Sequence, residues 1–347
     1  MNNLQKIFVE RIVAPIVFLF LATSVLLAQA PMGYYDNAEG KSSYTLKTAL
    51  HNIINSHTQL SYGDLWNAFE DTDLKSGTNK IWDMYSNCDF TYKTKQCGNY
   101  SNECDCYNRE HSFPKSWFND DPPMYTDLFH LYPTDGKVNG MRSNYPFGKV
   151  SNPTYTSGNG SKLGPCSGCD GYTKTVFEPI DEYKGDFARS YFYMVTCYQD
   201  KVKDWNCDML NRTENQAFSE WAKNILIQWH RDDPVSEKEV NRNNAVYSWQ
   251  GNRNPFIDYP ELAEKIWGGD NTPFYPNGDP VSNSNEETED HSEAYPFAEI
   301  YNISGVRLRE VHSADVDITI SALSHGVYIV RYINKTTGKS MQKKVVK

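Results

Sequence analysis

Residues 107–118 read YNREHSFPKSWF, with Glu110 beside His111, Arg109 just before them and Pro114 just after. Proline discourages a helix here, and in an extended backbone neighbouring side chains point to opposite faces. Glu110 and His111 therefore face different partners. One can hold a cation while the other activates a water. An imidazole, with an ordinary pKa of about 6.5, is mostly neutral at pH 7 and free to take a proton. Further on, TDLFHLYPTDGKVNGMRSNYPFG (126–148) adds Asp127, His130, Asp135, Asn139, Arg142 and Asn144. Glu110 and Asn139 offer two oxygen ligands, the type that hard cations such as Mg²⁺ and Ca²⁺ prefer. Arg142 follows, as an anion clamp or as one half of a buried ion pair. Cation, neutral base and clamp together suit attack of water on a phosphodiester. An isolated Glu-His pair is usually an inconsequential surface pair, and an isolated Asn-Gly is usually a turn. The combination carries the reading.

The chain has 347 residues, enough for a domain of ordinary size and a smaller one. Residues 1–30 carry Lys6 and Arg11, an apolar run and Ala28-Gln29-Ala30, the form of a secretory signal peptide. The eight cysteines lie between Cys88 and Cys207. In an exported protein they predict four disulfides of undeducible pairing, with the two cysteines of Cys166-Ser-Gly-Cys169 in disulfides rather than half a zinc site. The net charge of −10 argues against a broadly basic protein that coats nucleic acid. An acidic body acting on a polyanion needs a local basic groove or a bound cation.

Residues 31–269 read as one body. Helices are predicted over 43–57, 61–71, 185–198 and 218–230 from apolar spacing, and a strand over 80–86. The aromatic helices are core, not platforms for bases, and Arg189 inside one of them predicts a buried ion pair. Residues 270–293 hold seven acids and no Lys or Arg, and read as an acidic disordered linker. Residues 294–347 alternate in strand fashion, VDITI (316–320) included, and predict a small all-β sandwich. The fold class is α+β.

At this point the residues resemble a known family. Glu110-His111, Asp127, Leu131-Tyr132-Pro133, Val138-Asn139-Gly140 and Arg142-Ser143-Asn144 look like the motifs of the secreted bacterial endonuclease I family, non-specific nucleases of the ββα-metal (His-Me finger) type. VFEPIDEYKGDFARSYFYM (176–194) and QGNRNPFIDYP (250–260) continue the likeness, which spans about Tyr34 to Trp267. The resemblance implies a ββα-metal domain with flanking helices and disulfide-rich loops. It implies His111 as general base, Glu110 and Asn139 as ligands of one divalent ion (Mg²⁺, or Ca²⁺ or Mn²⁺), and DNA and also RNA as substrates. Phe129 departs from the family, whose members commonly carry His there, so any role of that His is lost or moved to His130. The spacer from His111 to Asp127 is short and lacks the Arg that steadies phosphate in some relatives. Arg142, Arg109 and Lys115 are its candidate replacements, with Asn144 a further substrate contact. The C-terminal module resembles a type IX secretion sorting domain, which implies export through the periplasm to the medium or outer surface by way of that machinery. No stable protein partner is expected. The rival reading is a secreted binding or adhesion protein on a degenerate nuclease fold, which Phe129 and the acidic body favour and intact Glu110, His111 and Asn139 oppose.

Overall fold

The computed structural model describes residues 30–276, 295–302, 306–323, 327–335 and 340–346. The signal peptide read over 1–30 lies, but for Ala30, outside the described residues, as does most of the linker. The chain divides into two compact units near residue 278.

The first unit is built around α4 (Lys184–Cys197). Every residue from Gly185 to Cys197 is buried, as expected of a helix that is largely apolar all round. Packed near it are α1 (Ser43–Ile54) and α5 (Glu220–Asp232), while α2 (Leu65–Thr72) packs on α6 (Glu237–Gln250). A capping box of Ser236 and Glu239 starts α6, and Gly251 at φ 79° ends it in the left-handed conformation. Arg189 meets Glu239 through two hydrogen bonds of 2.5 and 2.7 Å, the buried ion pair expected of it.

On this scaffold sit two strands and a short helix. Strand β1 (Tyr107–His111) pairs antiparallel with β2 (Leu131–Asp135), Glu110 opposite Tyr132 and His111 opposite Leu131. Helix α3 (Gly136–Arg142) follows β2 directly, because the Asp135 carboxylate accepts from Val138 N at 2.9 Å and caps it. Asn139-Gly140 is thus helical rather than a turn. Arg242 of α6 holds the approach to β2 by donating to Leu128 O and Leu131 O. A second sheet joins β3 (Tyr155–Thr156), β4 (Lys162–Pro165) and β5 (Thr175–Glu178) in that order.

Two disulfides fasten the loop before β1 to the start of α3. Cys88–Cys104 lies beside Asp135, whose Oδ2 accepts from Cys104 N at 2.7 Å. Cys97–Cys106 lies against Gly136, where a Cβ would overlap the Cys97 sulfur; at Gly140 it would overlap the Tyr100 hydroxyl. Only glycine permits this approach. The third bridge is Cys166–Cys169. The expectation of four bridges is corrected to three. Cys197, inside α4, contacts Ile54 O at the end of α1, and Cys207 accepts from Met209 N.

The strand expected over 80–86 is not formed. Only single bridges occur at Lys80 and Ile81, because Asp83 accepts from the backbone of Tyr85 and Ser86 and turns the chain.

The second unit is a four-stranded antiparallel sheet in the order β7 (Arg307–His312), β6 (Phe297–Asn302), β8 (Val327–Ile333), β9 (Ser340–Val346). The β module is present, but the described residues form one sheet and a helix (Val316–Ala322) instead of a two-sheet sandwich. VDITI satisfies both periods. Val316 and Ile320, four apart, are buried with Ala298, Ile300 and Val330, whereas Ile318 is 72% exposed. No described helix is long and apolar enough to cross a membrane.

Candidate active site

Alternation along β1 sorts the site into two faces. Asn108 and Glu110 contact one set of residues, and Arg109 and His111 another. On the first, Asn108 Oδ1 accepts from Asn139 Nδ2 at 2.6 Å, so strand and helix are tied at the Asn139 side chain. Glu110 is 3% exposed. Its Oε1 accepts from Tyr85 OH at 3.0 Å and lies 3.2 Å from Arg142 Nη1. Burial pushes its carboxyl up to about 7, against the pull of Arg142 and the Tyr85 hydrogen bond.

On the second face, His111 Nε2 lies 2.9 Å from the carbonyl of Tyr125. A carbonyl only accepts, so Nε2 carries the hydrogen and Nδ1 keeps its lone pair. Nδ1 has no protein partner among the described residues. Burial, and after it the neighbouring His130, push His111 down to about 3, so the ring is neutral throughout the physiological range. The two ring centroids lie 5.5 Å apart.

The remaining expected site residues are placed as follows. Arg109 is half-buried and donates to Tyr62 O at 2.6 Å. Lys115, also half-buried, pairs with Asp120 at 2.6 Å. Asn144 is exposed. Of the two readings of Arg142, the structure favours the buried ion pair. Arg142 is 1% exposed, and its guanidinium donates to the carbonyls of His111, Ser112 and Ser143 and to Tyr191 OH. With its Nη atoms thus engaged it cannot clamp a phosphate; it holds Glu110 and the end of β1. Phe129 is a core residue, 4.5 Å from the Tyr193 ring, and His130 is fully buried with Nε2 on Met124 O. Neither faces an open site.

Two places among the described residues have the donor types for a cation. The first is the pair Glu110 and Asn139. Asn139 Oδ1 has no protein partner, and Glu110 Oε2 meets no cation or hydroxyl, among the described residues. Two hard oxygens from one strand and one helix fit a divalent ion that keeps its remaining waters. The second is His57, Asp127 and Cys197, whose ligand atoms lie within 4.8 Å of one another. Here the fit fails. Asp127 Oδ2 accepts from Tyr193 OH at 2.8 Å and Tyr198 OH at 2.6 Å, and Oδ1 from Phe129 N at 2.9 Å and Gln250 Nε2 at 3.1 Å. No lone pair remains, and burial pushes the Cys197 thiol well above its ordinary pKa, away from the thiolate that binds metal. Burial alone would raise Asp127 too, but His57, His130 and its hydrogen bonds hold it below the usual carboxylate range.

Asp127 is therefore a structural hub. Asp127→Asn would set an amide N–H₂ against buried donors, leaving at least one unmatched. It is expected to cost about 1–3 kcal/mol in urea unfolding, the same in zinc as in EDTA. Stabilisation of the wild type by added zinc that Asp127→Asn abolishes and Glu110→Gln keeps would instead restore the trio as a metal centre.

Sequence reading missed Tyr62, Trp66, Tyr85 and Tyr125 as neighbours of the site. Tyr62 and Tyr85 come from turns far from β1 in the chain, and no local pattern marks them.

Residues 42–261 match the profile of the family described as Endonuclease I. The chain is 37% identical over 239 residues to an extracellular ribonuclease of Bacillus amyloliquefaciens, covering 67% of this chain and 78% of that protein. The extracellular ribonuclease of Bacillus subtilis (strain 168) is 36% identical with the same coverage. A periplasmic deoxyribonuclease of Aeromonas hydrophila is 28% identical over 136 residues, 39% of this chain and 48% of that protein. With the match covering the whole stretch from α1 through α6, site included, this chain belongs to the endonuclease I family.

Proposed function

We propose that this exported endonuclease hydrolyses phosphodiester bonds of RNA and DNA without sequence preference, with Glu110 and Asn139 holding one divalent cation and His111 acting as general base. The observation that carries the reading is the opposed placement of Glu110 and His111 at the end of β1, with Asn139 tied to the Glu110 face. Metal dependence goes with membership of the family. A bound divalent ion would polarise a phosphoryl oxygen and stabilise the leaving oxygen.

The chain's own groups do the rest. Tyr125 O holds the His111 tautomer, and His111 Nδ1 takes the proton of the attacking water. Burial lowers the proton affinity of this ring, and the negative charge of a bound phosphodiester raises it again. Arg142 and Tyr85 orient Glu110. Arg109 and Lys115 carry the positive charge nearest His111 and are the candidates to meet substrate phosphate, with Asn144 beyond α3. Contacts of this kind go to backbone rather than base edges, which is why no sequence preference is expected. Water attacks rather than a ribose 2′-OH, so both RNA and DNA are substrates; the named relatives act on one or the other.

The test is conversion of supercoiled plasmid and of a long RNA by the oxidised protein. Both are expected to be cut with Mg²⁺ or Mn²⁺, and to lose detectable cutting in EDTA. Undiminished cutting in EDTA would refute the metal assignment. A folded protein inert on both polymers with Mg²⁺, Mn²⁺ and Ca²⁺ would favour the binding-protein alternative. The C-terminal unit, which forms its own compact sheet, fits a removable sorting module recognised by a secretion machinery.

A further inference from the structure

The Arg109–His111 face of β1 carries a cluster of near-parallel rings, of which the hydrolytic step uses only the His111 ring; the Tyr62 and Tyr125 rings have no part in it. Tyr62 and Tyr125 lie 4.8 Å apart at 26°, Tyr125 and His111 5.1 Å apart at 24°, and Tyr62 and His111 6.3 Å apart at 14°. Cations close both ends. The Arg109 guanidinium sits 3.5 Å from the Tyr62 centroid and 4.5 Å from that of Trp66, and Lys115 Nζ sits 5.4 Å from that of Tyr125.

Most aromatic rings of this unit are buried in the core. Tyr62, Trp66, Tyr125, Arg109 and Lys115 are each only half-buried. The protein thus keeps a near-parallel aromatic stack partly open to solvent, with positive charge on it, beside its candidate base. Aromatic faces accept any base, and flanking cations attract the phosphates between bases. In a duplex the bases are paired and stacked on each other, so only an unpaired base can reach such a surface.

We propose that Tyr62 and Tyr125, flanked by Arg109 and Lys115, form a stacking subsite for an unpaired base next to the scissile phosphate, so that single-stranded nucleic acid is cut in preference to duplex. This rests on the nuclease reading above. The competing account is that the rings serve only to support His111.

The experiment removes the base and the ring separately. Short single-stranded oligonucleotides, intact or with one abasic residue at each position in turn, are cut by the wild type, Tyr62→Leu, Tyr125→Leu and Tyr62→Trp, and compared with the intact duplex. The wild type is expected to lose about 10- to 100-fold in kcat/KM, through KM, when the abasic residue adjoins the cut, the range of one base–ring stack. Tyr62→Leu should lose as much on the intact strand and little more on the abasic one, since ring and base act as one pair. Tyr62→Trp, which keeps a stacking face, should retain most of the rate. A wild type indifferent to every abasic position overturns the subsite whatever the variants do. So do additive losses from ring and base, and so does an intact duplex cut as fast as the strand. A wild type that cuts no intact strand at all removes the nuclease reading, and this one with it; cutting without an abasic effect removes only the subsite.

Discussion

His111→Ala is expected to lower kcat/KM on any nucleic acid by about 10²–10⁴-fold, read on protein that is still folded. The reason lies in where the ring nitrogens point. Nε2 is committed to Tyr125 O, and Nδ1 has no protein partner among the described residues, so the side chain presents one lone pair and little else to the site. The ring is buried against the Tyr125, Tyr62 and His130 rings, so the alanine also opens a cavity and lowers the unfolding midpoint, and the rate is compared well below that midpoint. His111→Asn should do no better, since an amide does not accept a proton at neutral pH. Added imidazole restoring part of the Ala variant's rate would support the assignment. A variant retaining more than a third of the wild-type kcat/KM would show that another group takes the proton, and His130 would not qualify, being fully buried and out of reach of a water on the substrate.

Arg142→Ala is expected to lower stability by about 3–5 kcal/mol, the cost of breaking a buried ion pair by removing one partner. The loss has three parts. Glu110, 3% exposed, is left without its cation; the carbonyls of His111 and Ser112 lose a donor; and the Phe147 ring loses the guanidinium 4.9 Å from its centroid. Arg142→Lys keeps the charge but cannot fork between carboxylate and carbonyls, so it should recover only part. A double variant with Glu110→Gln should lose less than the two single variants together, because the buried charge is gone. Urea unfolding reads all three. An unchanged midpoint with a raised KM would return Arg142 to the role of phosphate clamp.

Arg142 shows where sequence reading stops. Its spacing from Asn139 placed it correctly near the site, but whether a guanidinium at the end of a helix faces solvent or core depends on what covers it. The covering groups, Tyr191 of α4 and Phe147, are set by packing. Asp127 shows the same limit. The motif marks this carboxylate without saying what it does; Tyr193 of α4, Tyr198 just after that helix and Gln250 of α6 converge on it and occupy its oxygens. VDITI shows it in the second unit, where two periodicities fit five residues and burial against the sheet selects the helix.

What the amino-acid sequence determined by itself is the chemistry and its local geometry. Strand alternation separates Glu110 from His111, and the Asp135 cap starts a helix that carries Asn139. These follow from interactions a few residues apart, which a linear pattern records. Only the tertiary structure decided which of the charged and aromatic residues face the site. Tyr62, Tyr85 and Tyr125 reach β1, and Arg142 is withdrawn from solvent, through contacts between segments distant in the chain. Burial and partner choice are properties of the whole packed core, and no local pattern encodes them.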